Sequence, residues 1–189
     1  MKKQSWCLLI ATALLAGCAS TYEVQRQPAP AVLLKRAGSA YVAVPPDCRF
    51  GERPNAGSGL TAAQTIAGVF GKRLQRAEIG REVESFEQAR ASAGAGTYDY
   101  LIFPQLFQWE DHATEWSGIR DKINIKIQVV DVPSGQVLAA TTFTGKSKWA
   151  TLGGDHPQDL IVEPLGDFAD SLFGIERGKN KFRSPAAGR

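Results

Sequence analysis

Histidine and cysteine, on which much enzyme chemistry depends, are scarce in this chain of 189 residues. It contains two histidines, His112 and His156, and three cysteines. Zinc sites need three or four ligands in a fixed geometry, and neither an HExxH nor a paired CxxC pattern is present. A GxSxG nucleophile elbow is missing as well. These shortages remove the common signatures of metallohydrolases and serine hydrolases, and we expect no cofactor.

An excess of one charge sign is also lacking. The formal net charge is +3, and Lys2 and Lys3 lie in a predicted leader without acidic residues, so about +1 remains for the rest. Proteins that bind nucleic acid normally carry a basic patch or stripe. We therefore expect no nucleic-acid partner.

The apolar run over residues 6–16 is too short to span a bilayer as a mature helix. Lys2 and Lys3 precede it and Leu15-Ala16-Gly17-Cys18 closes it, with small residues directly before the cysteine. This pattern is typical of a bacterial lipoprotein signal, and an ordinary secretory signal with a chance cysteine is the alternative. It predicts a signal peptide over 1–17 and acyl chains such as palmitate on Cys18, which anchor the protein in a membrane. Because Ala19 stands where an aspartate would favour the inner membrane, we expect the outer membrane, with the body in the periplasm.

Disulfides are excluded by the same assignment. Cys7 leaves with the signal and Cys18 is acylated, so Cys48 stands alone. We expect Cys48 to be a small buried apolar residue.

Beyond the signal we predict three regions. Residues 18–39 are the lipidated cysteine and a flexible tether, 40–174 a periplasmic α/β domain, and 175–189 a basic disordered tail. Within the domain the pattern predicts the order β-α-β-α-β-β-β-α. We interpret this as an α/β (α+β) fold with a single mixed sheet and helices mainly on one face.

Three local signals support that order. Ile123, Ile125, Ile127 and Val129 alternate with polar residues, which predicts a half-exposed strand. Capping boxes at 61–64 and 85–88 predict two helix starts. The spacing from Ile161 to Leu172 predicts a last helix that is broken or restarted at Pro164 and stopped by Gly174.

The topology brings two loops to one end of the sheet. They are residues 109–118 and 149–156, and they contain both histidines and three of the four tryptophans. Exposed tryptophans among polar residues are typical of interface anchors. The candidate partner-binding residues are Trp109, Glu110, Asp111, Glu115, Trp116 and Trp149.

Two other interpretations of these loops stay open. The tryptophans can simply cap the core while the charges solvate the loops and Asp155 caps the last helix. Alternatively, the loops can form a metal-dependent or hydrolytic site. Its candidate ligands are His112, His156, Asp111 and Asp155.

Several short motifs together resemble a known family. They include Pro45-Pro46-Asp47, Trp109-Glu110-Asp111, Gly145-Lys146-Ser147 and Gly153-Gly154-Asp155. The chain resembles a family of lipoproteins from pseudomonads and related proteobacteria that is defined by a domain of unknown function. This resemblance implies no catalytic residues. The element order also resembles periplasmic lipoprotein domains that activate penicillin-binding proteins, which are interaction modules.

These observations lead to one functional hypothesis and one alternative. The hypothesis is a non-enzymatic lipoprotein of the outer membrane that binds an envelope protein or cell-wall partner. The alternative is a metal-dependent or cell-wall-directed hydrolase that uses His112 and His156.

Overall fold

The computed structural model describes residues 21–26, 33–50, 53–112, 119–147 and 156–175. Three α-helices are found there, and none is long and apolar enough to cross a membrane. The helices are α1 (Ser58–Phe70), α2 (Phe86–Ala95) and α3 (Asp159–Leu172). The strands are β1 (Thr21–Arg26), β2 (Ser39–Val44), β3 (Arg49–Phe50), β4 (Arg53–Pro54), β5 (Arg76–Val83), β6 (Tyr100–Glu110), β7 (Lys122–Asp131) and β8 (Val137–Lys146).

Six of the strands form one mixed sheet in the order β1-β8-β7-β6-β2-β5. Strand β2 pairs in parallel with β5 and β6, and the pairs from β6 to β1 are antiparallel. Helices connect the parallel strands, whereas short turns suffice for the antiparallel hairpin. The predicted α+β class and the predicted order from β2 to α3 are confirmed. The short strands β3 and β4 pair separately within the first long loop.

Strand β1 corrects the prediction of a flexible tether over residues 18–39. Residues 21–26 instead pair with the second half of β8 along its outer edge, from Thr21 opposite Lys146 to Arg26 opposite Thr141. The physical reason is a short alternation, because Tyr22 and Val24 pack against the core while Glu23 faces solvent. The chain is therefore bound to the sheet before it reaches β2.

Two helices cover one face of the sheet and the third covers part of the other. Helices α1 and α3 bury their apolar sides against residues such as Ile125 and Phe143. Helix α2 packs Ala89 and Ala93 over Leu101 and a few neighbours on the opposite face. The helices thus lie mainly on one face, as predicted.

The start of α1 differs from the prediction. Thr61 lies inside the helix, which begins at Ser58 after Gly57, a residue with φ of +83°. The carboxylate of Asp47 accepts hydrogen bonds from the N–H groups of Gly57 and Gly59 at 2.9 and 2.8 Å. A residue ten positions earlier therefore satisfies the first-turn donors. The capping box at Ser85 and Gln88 is confirmed.

Helix α3 is continuous through Pro164, which corrects the prediction of a break there. Proline in a helix removes one backbone hydrogen bond, but Pro164 and the two residues after it, Leu165 and Gly166, are buried, and this packing holds the helix together. An ion pair also joins α3 to the turn that follows α1, because Arg73 Nε lies 2.6 Å from Asp170 Oδ1 and both side chains are buried. The helix ends at Leu172, and Gly174 follows with φ of +64°.

Candidate functional site

The loops that the sequence singled out start and end at one end of the sheet, here called the rim end. Strand β6 ends there, β7 begins there and β8 ends there, so Glu110, Lys122 and Lys146 form one row across the sheet. Thr21, the first residue of β1, continues this row beside Lys146. Helix α3 also begins at this end, close to His156.

Trp109 does not offer a contact surface, which corrects its prediction as an interface anchor. Its side chain is 5% exposed and belongs to the main core. It lies opposite Ile123 in the ladder, and its carbonyl oxygen accepts a hydrogen bond from the side-chain amide of Asn55. The loop around β3 and β4 thus closes over the end of β6, so Trp109 stabilises the fold.

Glu110 is also buried, and its carboxylate has several partners. Lys122 Nζ lies 2.9 Å from Glu110 Oε2, and His112 Nε2 lies 3.5 Å from the same oxygen. Burial acts to raise the pKa of Glu110, but Lys122 and the hydrogen bond from Gln108 outweigh it and hold the pKa below its ordinary value. The negative charge of Glu110 is therefore balanced by Lys122 inside the protein and is not presented to a partner.

Asp111 and His156 come together from the two separate loops. His156 Nδ1 lies 3.4 Å from Asp111 Oδ1, and both side chains are substantially exposed. Because solvent screens interactions between exposed groups, this pair is a weak contact. The contact brings the residue after β6 close to the residues before α3.

Asp121 and Ser147 are parts of this end that the residue patterns did not identify. Asp121 Oδ1 accepts a hydrogen bond of 2.8 Å from the backbone N–H of His112, while its own N–H donates to Ser147 Oγ at 3.0 Å. The N–H of Ser147 donates to the carbonyl of Asp121. Burial raises the pKa of the Asp121 carboxyl. Ser147 was visible only as the last residue of Gly145-Lys146-Ser147, and no local pattern marked Asp121.

The remaining predicted site residues lie outside the described part of the chain. Within that part, no three side chains of His, Cys, Asp or Glu are grouped so that they could hold a metal ion. Of the predicted metal ligands, His112 and His156 each have a carboxylate neighbour, but in two separate pairs. The residues outside are Cys18, Glu115, Trp116, Trp149 and Asp155.

A second surface, not identified from the sequence, lies on the sheet face turned away from α1 and α3. Among the described helices only α2 packs on this face, and it covers β2, the first residues of β6 and the end of β7. The rest, here called the open face, has polar side chains in two rows that run in register across β6, β7, β8 and β1. These residues are Gln108, Asn124, Thr144 and Glu23 in one row and Gln105, Lys126, Thr142 and Gln25 in the other.

Phe107 adds a large aromatic side chain next to this surface. It is the extra residue where the register between β6 and β7 shifts, and 59% of its surface is exposed. A bulge leaves one residue without a partner in the ladder and redirects its side chain. An exposed aromatic group among polar neighbours is the usual composition of an interaction surface.

Fold and surfaces together define a small α+β domain in which no described helix covers part of one sheet face. Residues 32–172 match the model of a family described as domain of unknown function DUF4823. The chain belongs to this family, and the resemblance found in the sequence is confirmed to that extent. No curated protein matches the chain.

Among solved structures, the chain is similar to a single-substitution variant of the PelC dodecamer from Paraburkholderia phytofirmans. The TM-score is 0.61 at 15% identity, covering 82% of this chain and 100% of that one. A second PelC dodecamer from the same organism gives 0.59 at 14% identity, with 76% and 96% covered. Lipoprotein GNA1162 from Neisseria meningitidis is more distant, at a TM-score of 0.41 and 13% identity over 72% of this chain and 96% of that one. The PelC likeness shows a shared fold.

Proposed function

We propose that this protein is a non-enzymatic lipoprotein of the outer membrane whose periplasmic domain binds another envelope protein. Cys18 carries the anchor, as the sequence preceding it predicts. The observation that supports binding is the open face with Phe107 beside it. Both consist of side chains that contribute little to the core and remain accessible.

The chemistry of the open face favours a polar, hydrogen-bonding partner with an apolar group for Phe107. Amides, hydroxyls and the ammonium group of Lys126 offer both donors and acceptors along two parallel rows. Aromatic residues surrounded by such groups contribute most of the binding energy in many protein interfaces. We therefore place the partner contact here, whereas contact through Trp116 and Trp149 stays a prediction from the sequence.

A second copy of this chain is the first candidate partner. The two PelC structures, which share the fold, are dodecamers. Their assembly supports the proposal that a domain of this architecture serves protein association.

The direct test is photo-crosslinking in cells with a reactive residue in place of Thr144 on the open face. The matched control carries the same residue in place of Glu163, which is exposed on α3 on the opposite side of the sheet. We expect a discrete crosslinked species from position 144 and none from 163. A mass that is a multiple of the chain would identify self-assembly, and another mass would identify a different envelope protein. No crosslink at 144, in protein confirmed to be folded and anchored, would reject the open face as the contact surface.

The Phe107→Ala variant tests how much this side chain contributes to the free energy of association. Truncating an aromatic anchor of an interface is expected to weaken association by about 2 kcal/mol or more. The free energy of unfolding of the isolated domain should hardly change, because Phe107 is mostly exposed. Val162→Ala, at an exposed apolar residue of α3, is the control and should leave association unchanged. Equal affinity of Phe107→Ala and the unaltered protein would remove Phe107 from the interface.

A further inference from the structure

The position of β1 determines how the domain stands on the membrane, if Cys18 carries the anchor as proposed above. Strand β1 begins at Thr21, only three residues after Cys18. A chain spans at most roughly 3.5 Å per residue, so the Cα atoms of Cys18 and Thr21 are no more than about 10 Å apart. Because this connection is so short, the sheet stays close to the membrane surface and the domain cannot move freely in the periplasm.

The register then shows which part of the sheet is nearest to the anchor. Thr21 pairs with Lys146, Lys146 with Lys122, and Lys122 with Glu110. The anchored end of β1 is therefore the rim end. Neighbouring strands lie about 4.8 Å apart, which places Lys146 within about 15 Å of the acylated residue. The opposite end of the sheet, at the turn around Ser134, lies about 30 Å further away along β7, at about 3.3 Å per residue.

The exposed side chains at the rim end suit a phospholipid surface. Arg120 and Lys146 are both exposed, and no carboxylate of the described residues forms an ion pair with either. The acidic groups beside them are engaged, since Glu110 pairs with Lys122 and Asp121 accepts from the backbone of His112. Ile119, next to Arg120, is 56% exposed. Exposed cations beside an exposed apolar residue are the combination that binds headgroup phosphates and the interface beneath them.

We propose that the rim end of the sheet rests on the surface of the bilayer that holds the acyl chains of Cys18, with Ile119, Arg120 and Lys146 as its contacts. The sheet then stands on the membrane with its strands pointing away from it. The open face is directed sideways and remains accessible to a partner. This inference rests on the proposed anchor. It implies that the domain has a fixed orientation on the membrane and does not move freely on a tether.

The test uses the full lipidated chain in vesicles of phosphatidylethanolamine and phosphatidylglycerol. A fluorophore is attached to Ile119→Cys in one sample and to Ser134→Cys, at the far end of the same sheet, in another. Cys48 is buried, and a sample without an added cysteine measures its background labelling. Lipids with a nitroxide on the headgroup quench only nearby fluorophores. We expect quenching at position 119 to be several-fold stronger than at position 134.

A charge-reversal pair tests the contacts themselves. Arg120→Glu combined with Lys146→Glu should lower the quenching of a fluorophore at position 119 at least twofold. Lys35→Glu combined with Lys126→Glu, at exposed or half-exposed positions away from the rim end, is the matched control and should not. If the reversed pair quenches as strongly as the control, the assigned cationic contacts are wrong.

Two failures remain distinguishable. An unacylated Cys18 in the mass spectrum would overturn the anchor and with it the proposed localisation. Acylated, vesicle-bound protein that is quenched equally at positions 119 and 134 would overturn only the orientation.

Discussion

The two faces of the central sheet differ in what their side chains do, and β7 shows the difference within a single strand. Ile123, Ile125 and Ile127 are fully buried under α1 and α3, while Asn124 and Lys126 between them are half-exposed on the open face. Burial of large aliphatic side chains is the main favourable term in folding. The face under α1 and α3 therefore provides most of the stability, whereas the open face contributes little to it. Substitutions under α1 and α3 should lower the free energy of unfolding, whereas substitutions on the open face should leave it almost unchanged.

The strongest test of this division compares neighbours on β7. Ile127→Ala removes a fully buried side chain and should lower the free energy of unfolding by roughly 2–5 kcal/mol. Lys126→Ala, on the open face, should change it by no more than about 0.5 kcal/mol. Denaturant unfolding of the domain measures both. Similar losses from the two substitutions would show that the open face is covered in solution.

The second comparison concerns a buried and an exposed ion pair, which should contribute very different amounts to the free energy of unfolding. Asp170→Ala leaves the buried Arg73 without its carboxylate partner and should cost about 3 kcal/mol or more of unfolding free energy. Glu87→Ala breaks an exposed pair with Arg90 on α2, and such pairs contribute only about 0.5 kcal/mol or less. Thermal unfolding of both variants checks the contrast. A small effect of Asp170→Ala would mean that water replaces the lost carboxylate.

The caps at the starts of α1 and α2 should contribute less to the free energy of unfolding, and the difference between them should be smaller. Asp47 accepts from two backbone N–H groups at the start of α1, and the side chain of Ser85 accepts from one at the start of α2. We expect a loss of about 2 kcal/mol for Asp47→Ala and about 1 kcal/mol for Ser85→Ala. Asp47→Asn is the control, because the amide oxygen keeps an acceptor. If Ser85→Ala costs more than Asp47→Ala, the local capping box is the stronger of the two.

What the sequence could predict depended on how local the physical signal was. The alternation along β7 and the capping box at Ser85 each lie within a few residues, and both were confirmed. The cap of α1 was missed because its acceptor, Asp47, lies in a different segment. Strand β1 was missed because a short alternation becomes a strand only when the free edge of β8 is available to it.

The site was harder to predict for the same reason. A tryptophan at the end of a strand can cap the core or project into solvent, and the sequence around Trp109 is compatible with both. The loop that includes Asn55 decides between them by closing over β6. The meeting of the two loops, where Asp111 and His156 come together, followed from the topology, but the burial of Glu110 and Asp121 depends on tertiary contacts. The open face was visible as the polar half of an alternation, without any sign of what covers it.

The smallest expected effects concern two carboxyl groups at the rim end, and these should depend on pH in opposite directions. Burial raises the pKa of Asp121, so the folded state holds its proton more tightly than the unfolded state does. Ionised Asp121 therefore destabilises the fold, and this cost disappears as the pH falls below the ordinary pKa of aspartate. Asp121→Asn keeps an oxygen acceptor for the N–H of His112. It should slightly raise the free energy of unfolding at neutral pH and lose this advantage in acid.

Glu110 should behave in the opposite way, because its pKa is lowered in spite of its burial. Its ionised form stabilises the fold above the ordinary pKa of glutamate, and this contribution is lost as the pH falls through the lowered value. Glu110→Gln should therefore reduce the free energy of unfolding at neutral pH, by an amount that shrinks in acid. Denaturant unfolding from neutral to acidic pH compares both variants with the unaltered protein. If both shift stability in the same direction at neutral pH, one of the two carboxyl groups has a different environment in solution, and the paired arrangement of Glu110 with Lys122 is the first to re-examine.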